Sequence, residues 1–232
     1  MAMRTIAKIC LALFALAVLP CSASAQRRPA RATHDWTAVA VRTPEGGFRL
    51  GNPAAPVKLV EYLSTTCPHC AALARESRPT IMGQIRSGRL SLEYRNYVLN
   101  GYDMAASALS RCAAPRAYFA MTEELLATQD AWMGRINALT EAQRTALRGL
   151  SPLQAVQQLV HLLALDAIAA RHGIAPPVQS ACVNQAALEQ LAAMERAAEH
   201  DFQVDATPTF LLNGRSIGTQ SWATLEPRLR GN

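Results

Sequence analysis

Lysine is nearly absent from this chain: of 23 basic residues, only Lys8 and Lys58 are lysines. The arginines that make up the rest are scattered, with no run longer than Arg27-Arg28 and no interleaved aromatic residues. The formal net charge of +6 therefore lacks the basic stripe of a nucleic-acid-binding surface and reads as codon bias. Aromatic residues are also scarce at 6%, and charged residues make up 17% against a hydrophobic share of 50%. So apolar a chain is not intrinsically disordered. No Gly-x-y period or sustained heptad occurs, which excludes collagen-like and long coiled-coil folds. A second Cys-x-x-Cys, a suitably spaced His pair, a His-Glu-x-x-His helix, a phosphate-binding loop and a Ser/His/Asp spacing are all missing, so zinc, nucleotide and hydrolase chemistry have no motif to rest on. Past the N-terminal segment no apolar run is long enough to cross a bilayer, and no stable membrane insertion is expected. The 232 residues suffice for one sizeable domain or a domain with a large insertion.

What is present begins with an export signal. Arg4 and Lys8 give a positive start, and Ile9 to Leu19 is an apolar run. Its roughly 16 Å as a helix is short of a hydrocarbon core of about 30 Å. Pro20 ends the run, and Ala23-Ser24-Ala25 supplies the small residues that signal peptidase needs, so cleavage is expected before Gln26. A lipoprotein site at Cys21 is the alternative, opposed by Pro20. Residues 1–25 thus read as a signal peptide, and the mature protein is expected in the periplasm. Cys10 and Cys21 leave with the signal, and Cys67, Cys70, Cys112 and Cys182 remain. In an oxidising compartment Cys112 and Cys182 are expected to pair as a structural disulfide, with two buried free thiols as the alternative.

Residues 26–50 read as an N-terminal arm, with a candidate edge strand at Trp36 to Val41. Val57 to Leu63 is a nearly continuous apolar run of strand length. A helical pattern follows Cys70 and stops at Gly88, and Leu90 to Val98 is strand-like. This is a strand–helix–strand unit with a right-handed parallel crossover. Residues 103–202 are almost wholly helical. Their strongest element is one helix with Ser151 as N-cap, Pro152 at the first position, and an apolar stripe from Leu153 to Ala167, ending at Gly173. His161, His172 and His200 read as structural residues at helix ends or on helix faces. Thr209–Leu212 and Arg215–Ile217 flank Asn213-Gly214, a tight hairpin, and a last helix covers Ser221 to Leu229. The layout is α/β: residues 51–102, a helical insertion over 103–202, and residues 203–232.

The chemistry lies in Cys67-Pro68-His69-Cys70. Pro68 at the first helical position costs no hydrogen bond and places Cys67 at a helix N-terminus. Unpaired N–H groups and the helix dipole there favour a thiolate, and His69 adds a donor or a positive charge. A stabilised thiolate favours the dithiol, which makes the disulfide an oxidant. Cys70, one turn inward, is the resolving thiol. Two other readings stay open: a two-coordinate copper module and an inert structural disulfide. Glu61, a carboxylate within the apolar strand, is placed to exchange a proton with Cys70 if it points inward; pointing to solvent is the alternative. Pro208 starts an internal strand where a ladder donor is missing. A cis Thr207–Pro208 bond would put the Thr207 backbone beside the reactive sulfur, free to pair with an extended substrate.

The set Gly51-Asn52-Pro53, Val57 to Tyr62, Cys67-Pro68-His69-Cys70, Thr207-Pro208-Thr209-Phe210 and Asn213-Gly214 resembles the DsbA family. By layout the resemblance covers nearly all of the mature chain, and its specific motifs lie outside the helical insertion. It implies a thioredoxin fold interrupted by a helical domain and exported thiol–disulfide oxidoreductase activity. Within that resemblance Cys67 attacks, Cys70 is its buried partner, Glu61 the buried acid and Pro208 the cis-proline. Unfolded or reduced exported proteins are the expected substrates, a DsbB-type membrane protein the reoxidant, no cofactor is required, and the protein is expected to be a monomer. Thr207 before the proline occurs in oxidases and in isomerases, so a disulfide isomerase or reductase is the rival within the fold.

Overall fold

The computed structural model describes residues 34–230; the signal segment 1–25 lies outside the described residues. The centre is built from β3 (Val57–Leu63), α1 (Pro68–Arg86) and β4 (Leu90–Asn96). β3 and β4 run parallel in register from Val57↔Leu90 to Leu63↔Asn96. Every residue of β4 is buried, because α1 packs against it as well as α9 (Gln185–Phe202). That explains a strand whose polar members, Ser91, Glu93, Arg95 and Asn96, face no solvent. Arg95 and Glu93 offset each other through an Nε–Oε1 contact of 2.7 Å, as a buried ion pair requires.

The last three elements return to this centre. β5 (Thr209–Leu212) pairs antiparallel with β3, and β6 (Arg215–Thr219) pairs with β5. Asn213 and Gly214 sit at φ of 50° and 81°, the left-handed pair that a two-residue hairpin turn demands. α10 (Trp222–Leu229) then packs on α1.

At the other edge the structure departs from the sequence pattern. Trp36–Ala38 is a 3-10 turn capped by Asp35, and the edge strand β1 covers only Ala40–Arg42. It forms a hairpin with β2 (Phe48–Gly51), which pairs antiparallel with β4. The sheet order is β1-β2-β4-β3-β5-β6. β2 has no counterpart in the sequence reading, because a strand of four residues after a glycine pair carries too little alternation to register.

Between β4 and β5 run α2 (Gly101–Ser110), α3 (Pro115–Ala127), α4 (Gln129–Asn137), α5 (Glu141–Arg148), α6 (Pro152–Leu162), α7 (Leu165–Arg171), α8 (Pro176–Cys182) and α9. The single helix expected from Ser151 to Gly173 is two helices, α6 and α7, bent by 70°. Ala164 holds a left-handed φ of 54° at the break, and Asp166 restarts the helix by accepting the Ala167 N–H at 2.8 Å. The bend lets both helices pack on α2, burying Leu163 and Leu165 completely. A straight helix would carry one of them away from that core. Cys112, just past α2, and Cys182, the end of α8, have their Sγ atoms 2.07 Å apart as a disulfide spanning 70 residues. Among the described residues, no single helix is long and apolar enough to cross a membrane.

Candidate active site

Cys67 is the N-cap of α1, and Pro68 occupies the first turn. The position follows from the local sequence: β3 ends at Leu63, the loop Ser64-Thr65-Thr66 turns, and Pro68 starts a helix for which its fixed φ is suited. Cys67 is 5% exposed and Cys70 is fully buried. Across from them, Thr207–Pro208 is a cis peptide, and the Cys67 Sγ–H donates to the Thr207 carbonyl at 3.2 Å. The chain thus brings together two motifs 140 residues apart.

The two sulfurs are driven in opposite directions. The Cys70 thiol hydrogen bond to Cys67 is the largest factor lowering the Cys67 pKa, from 9.0 to about 5. The Thr207 side chain and the N–H groups of Cys70 and His69 add to it, against the cost of burial. Cys70 is pushed well above its ordinary value, chiefly by burial, then by its bond to Cys67 and the Glu61 charge. A charge-assisted bond to sulfur at a helix start accounts for the first result, and exclusion from water for the second.

Glu61 points inward. It is 4% exposed and stands in register between Tyr94 of β4 and Phe210 of β5. Burial, with the Cys67 charge second, raises its pKa from 4.5 to about 8. His69 is exposed, and of the two roles expected for it, a donor or a positive charge, the donor is the one seen: its backbone N–H lowers the Cys67 pKa.

Two residues absent from the sequence reading hold the loop before Cys67. Asp103 is completely buried and accepts the Thr65 N–H at 2.9 Å and the Thr65 hydroxyl at 2.6 Å. It also accepts the Leu99 N–H at 3.1 Å. Gln129 Nε2 donates to the carbonyls of Thr65 and Cys67 at 2.9 and 3.0 Å. Asp103 had one faint signal, an acidic residue in the first turn of a helix; Gln129 had none, since a glutamine at a helix start is unremarkable. Cys112 and Cys182 lie in the helical part, away from this loop.

Beside the cysteines a groove of about 370 Å³ runs between the start of α1 and the turn into α10, lined by His69, Leu73, Glu76, Pro208 and Trp222 among others. A larger cavity of about 450 Å³ between α6, α7 and α8 contains no cysteine and is separate from the site. Among the described residues, no group of three or more His, Cys, Asp or Glu side chains is arranged to hold a metal ion.

The Thioredoxin family profile matches residues 43–229. A Rickettsia conorii protein named as a protein-disulfide oxidoreductase is 25% identical over 190 residues, covering 81% of this chain and 60% of its own length. The chain thus spans about three fifths of that relative. A crystal structure of a protein-disulfide isomerase from Novosphingobium aromaticivorans superposes with a TM-score of 0.72 at 30% identity, covering 78% of this chain and 94% of that one. Wolbachia pipientis alpha-DsbA1 gives 0.64 at 21% identity, covering 81% and 90%, a likeness of fold. The profile match over most of the chain and these structural likenesses show that the chain belongs to the thioredoxin family and has the DsbA-like form of its fold.

Proposed function

We propose that this chain is an exported thiol–disulfide oxidoreductase that introduces disulfides into reduced proteins through Cys67 and Cys70. The observation that carries the reading is the split between the two thiols: Cys67 is lowered to about 5 while Cys70 is raised well above its ordinary value. In the oxidised form a substrate thiolate attacks Cys67 Sγ, the Cys67–Cys70 bond breaks, and its electron pair leaves on Cys70. Glu61, protonated below a pKa of about 8, supplies the proton that Cys70 takes up. A second substrate thiolate then attacks the substrate sulfur of the mixed disulfide and expels Cys67 as a stabilised thiolate. Two electrons move from the substrate dithiol to the pair, and a DsbB-type membrane oxidant takes them away. Thr207 and Pro208 bound the place where the substrate backbone lies. The proposed setting is the periplasm, and the working unit a monomer.

An isomerase or reductase is the second reading, favoured by the name of the Novosphingobium protein and by Thr207 before the proline. The reduction potential of the Cys67–Cys70 pair tests both. A potential well above that of the glutathione pool, with stoichiometric oxidation of a reduced model protein, supports the oxidase. A strongly reducing potential, with efficient reshuffling of a scrambled substrate, would replace it with the second reading.

A further inference from the structure

The groove beside Cys67 has one charged feature that the exchange chemistry does not use. α1 presents two stripes. His69, Ala72, Leu73 and Glu76, spaced three and four residues apart, line the groove. Arg75 and Arg78 line a different cleft, where Arg78 pairs with Glu123. The helix therefore turns its two nearby cations away from the groove and one carboxylate toward it. Glu76 is the only acidic residue lining the groove. It is exposed and makes no ion pair among the described residues. The rest of the groove is largely apolar, with Leu73, Pro208 and Trp222 forming its walls. An acidic group in this position, on a chain of formal charge +6, is a local reversal of sign at the far end of the groove from the reacting sulfur.

Resting on the exchange reading above, we infer that Glu76 is a specificity determinant: the groove takes an extended segment of the reduced substrate that carries an arginine or lysine near the reacting cysteine. The spacing follows from the helix. Nine residues separate Cys67 from Glu76, a rise of roughly 13 Å. An extended chain covers that in about four residues. A cation about four residues from the substrate cysteine meets Glu76, while intervening apolar side chains lie against Leu73 and Trp222.

The test uses the oxidised protein and synthetic single-cysteine peptides, identical except for Arg, Ala or Glu four residues to either side of the cysteine. Reduction of the Cys67–Cys70 disulfide is followed by acid quench, alkylation and mass spectrometry at one fixed pH and low salt. The Arg peptide on one side is expected to react about 1.5- to 5-fold faster than its Glu counterpart, the range set by exposed ion pairs, and high salt should shrink the ratio. Glu76→Gln should bring the ratio near one, and Glu76→Lys should invert it. Differences in intrinsic peptide reactivity cancel when the variants are compared. An Arg/Glu ratio of one in the wild type, or a ratio that Glu76→Gln and Glu76→Lys leave unchanged, overturns the inference while the exchange reading stands. If no peptide reduces the disulfide, the exchange reading falls and this inference with it.

Discussion

Reducing the Cys67–Cys70 bond should change the pH dependence of stability, and the size of that change follows from one thiol. Cys67 moves from 9.0 to about 5 in the folded, reduced chain. A group whose folded pKa is depressed contributes its full stabilisation above the unfolded value and loses it as pH falls through the folded one. The window is therefore pH 9 down to 5. At pH 7 the thiolate contributes about 2–3 kcal/mol, and at pH 4.5 close to nothing. Cys70, raised well above its ordinary value, stays a thiol in both folded and unfolded chains at pH 7 and below and adds no slope there. Glu61 is raised mainly by burial, which both redox forms share, so it cancels except for the repulsion from the Cys67 thiolate, which trims the difference. Chemical denaturation of the oxidised and reduced protein at pH 4.5 and pH 7 isolates the effect, because the loop-closure contribution of the disulfide does not depend on pH. The reduced form should gain about 2–3 kcal/mol relative to the oxidised form between those two pH values. Thiolate ultraviolet absorbance gives the same quantity directly. Its midpoint should lie near 5, vanish in Cys67→Ser, rise markedly in Cys70→Ala, and move less in Cys70→Ser, which keeps a donor. A flat stability difference, together with a midpoint near the free-cysteine value of about 8.5, would refute the reasoning.

Other consequences are equally direct. Glu61 is neutral in the folded chain below about 8 but ionises at 4.5 when exposed, so its folded-state stability is present below 4.5 and lost as pH rises toward 8. Glu61→Gln should therefore gain roughly 3–4 kcal/mol over the wild type between pH 4 and pH 8, while slowing disulfide exchange; equal gains at both pH values in urea titrations would count against a buried acid. Cys112→Ser together with Cys182→Ser removes a crosslink of sequence separation 70 and should cost about 4 kcal/mol on the loop-entropy model. Peptide mapping without reduction should recover the linked pair, and mild reductant should open Cys67–Cys70 first. Gln129→Ala strips a donor from two loop carbonyls and should cost about 1–3 kcal/mol; amide exchange at Ser64–Thr66 should speed up, and unchanged protection would remove its positioning role.

The parts of this fold that could be read from sequence are those whose cause is local. Pro68 fixes a helix start whatever lies around it, Asn213-Gly214 fixes a hairpin, and an apolar run around Glu61 marks a central strand. Pro208 was readable only jointly with the cysteines, since a proline before a strand has several ordinary explanations. What escaped was set by partners remote in sequence. Ala164 adopts a left-handed φ with no glycine to announce it, because packing on α2 decides where the helix breaks. β2 is short and takes its place from pairing with β4, and β1 takes its place from pairing with β2. For His69 the sequence left two roles open, a donor or a charge, and only the fold selects the backbone N–H as the group that acts on Cys67.

The inserted helices do more than cover one side of the sheet. Asp103 lies in the first turn of α2 and Gln129 in the first turn of α4, and both reach the same few residues before Cys67. Asp103 takes the donors of Thr65, and Gln129 satisfies the carbonyls on either side of Thr66. Asn100, which caps α2, donates to Thr66 Oγ1 at 3.0 Å. A loop that must deliver a helix N-terminus to a sulfur leaves its own peptide groups unpaired, and each such group buried without a partner is costly. Here the helical part supplies those partners. The Cys67 thiolate rests first on the Cys70 thiol and to a smaller extent on the N–H groups of Cys70 and His69, so the way the loop presents the helix is one contribution to its pKa. The insertion thus bears on the chemistry without contributing an atom to it. Loosening α4, as in Gln129→Ala, should raise the thiolate midpoint of Cys67 read by ultraviolet absorbance, and an unchanged midpoint would leave Gln129, about sixty residues downstream, a purely structural role.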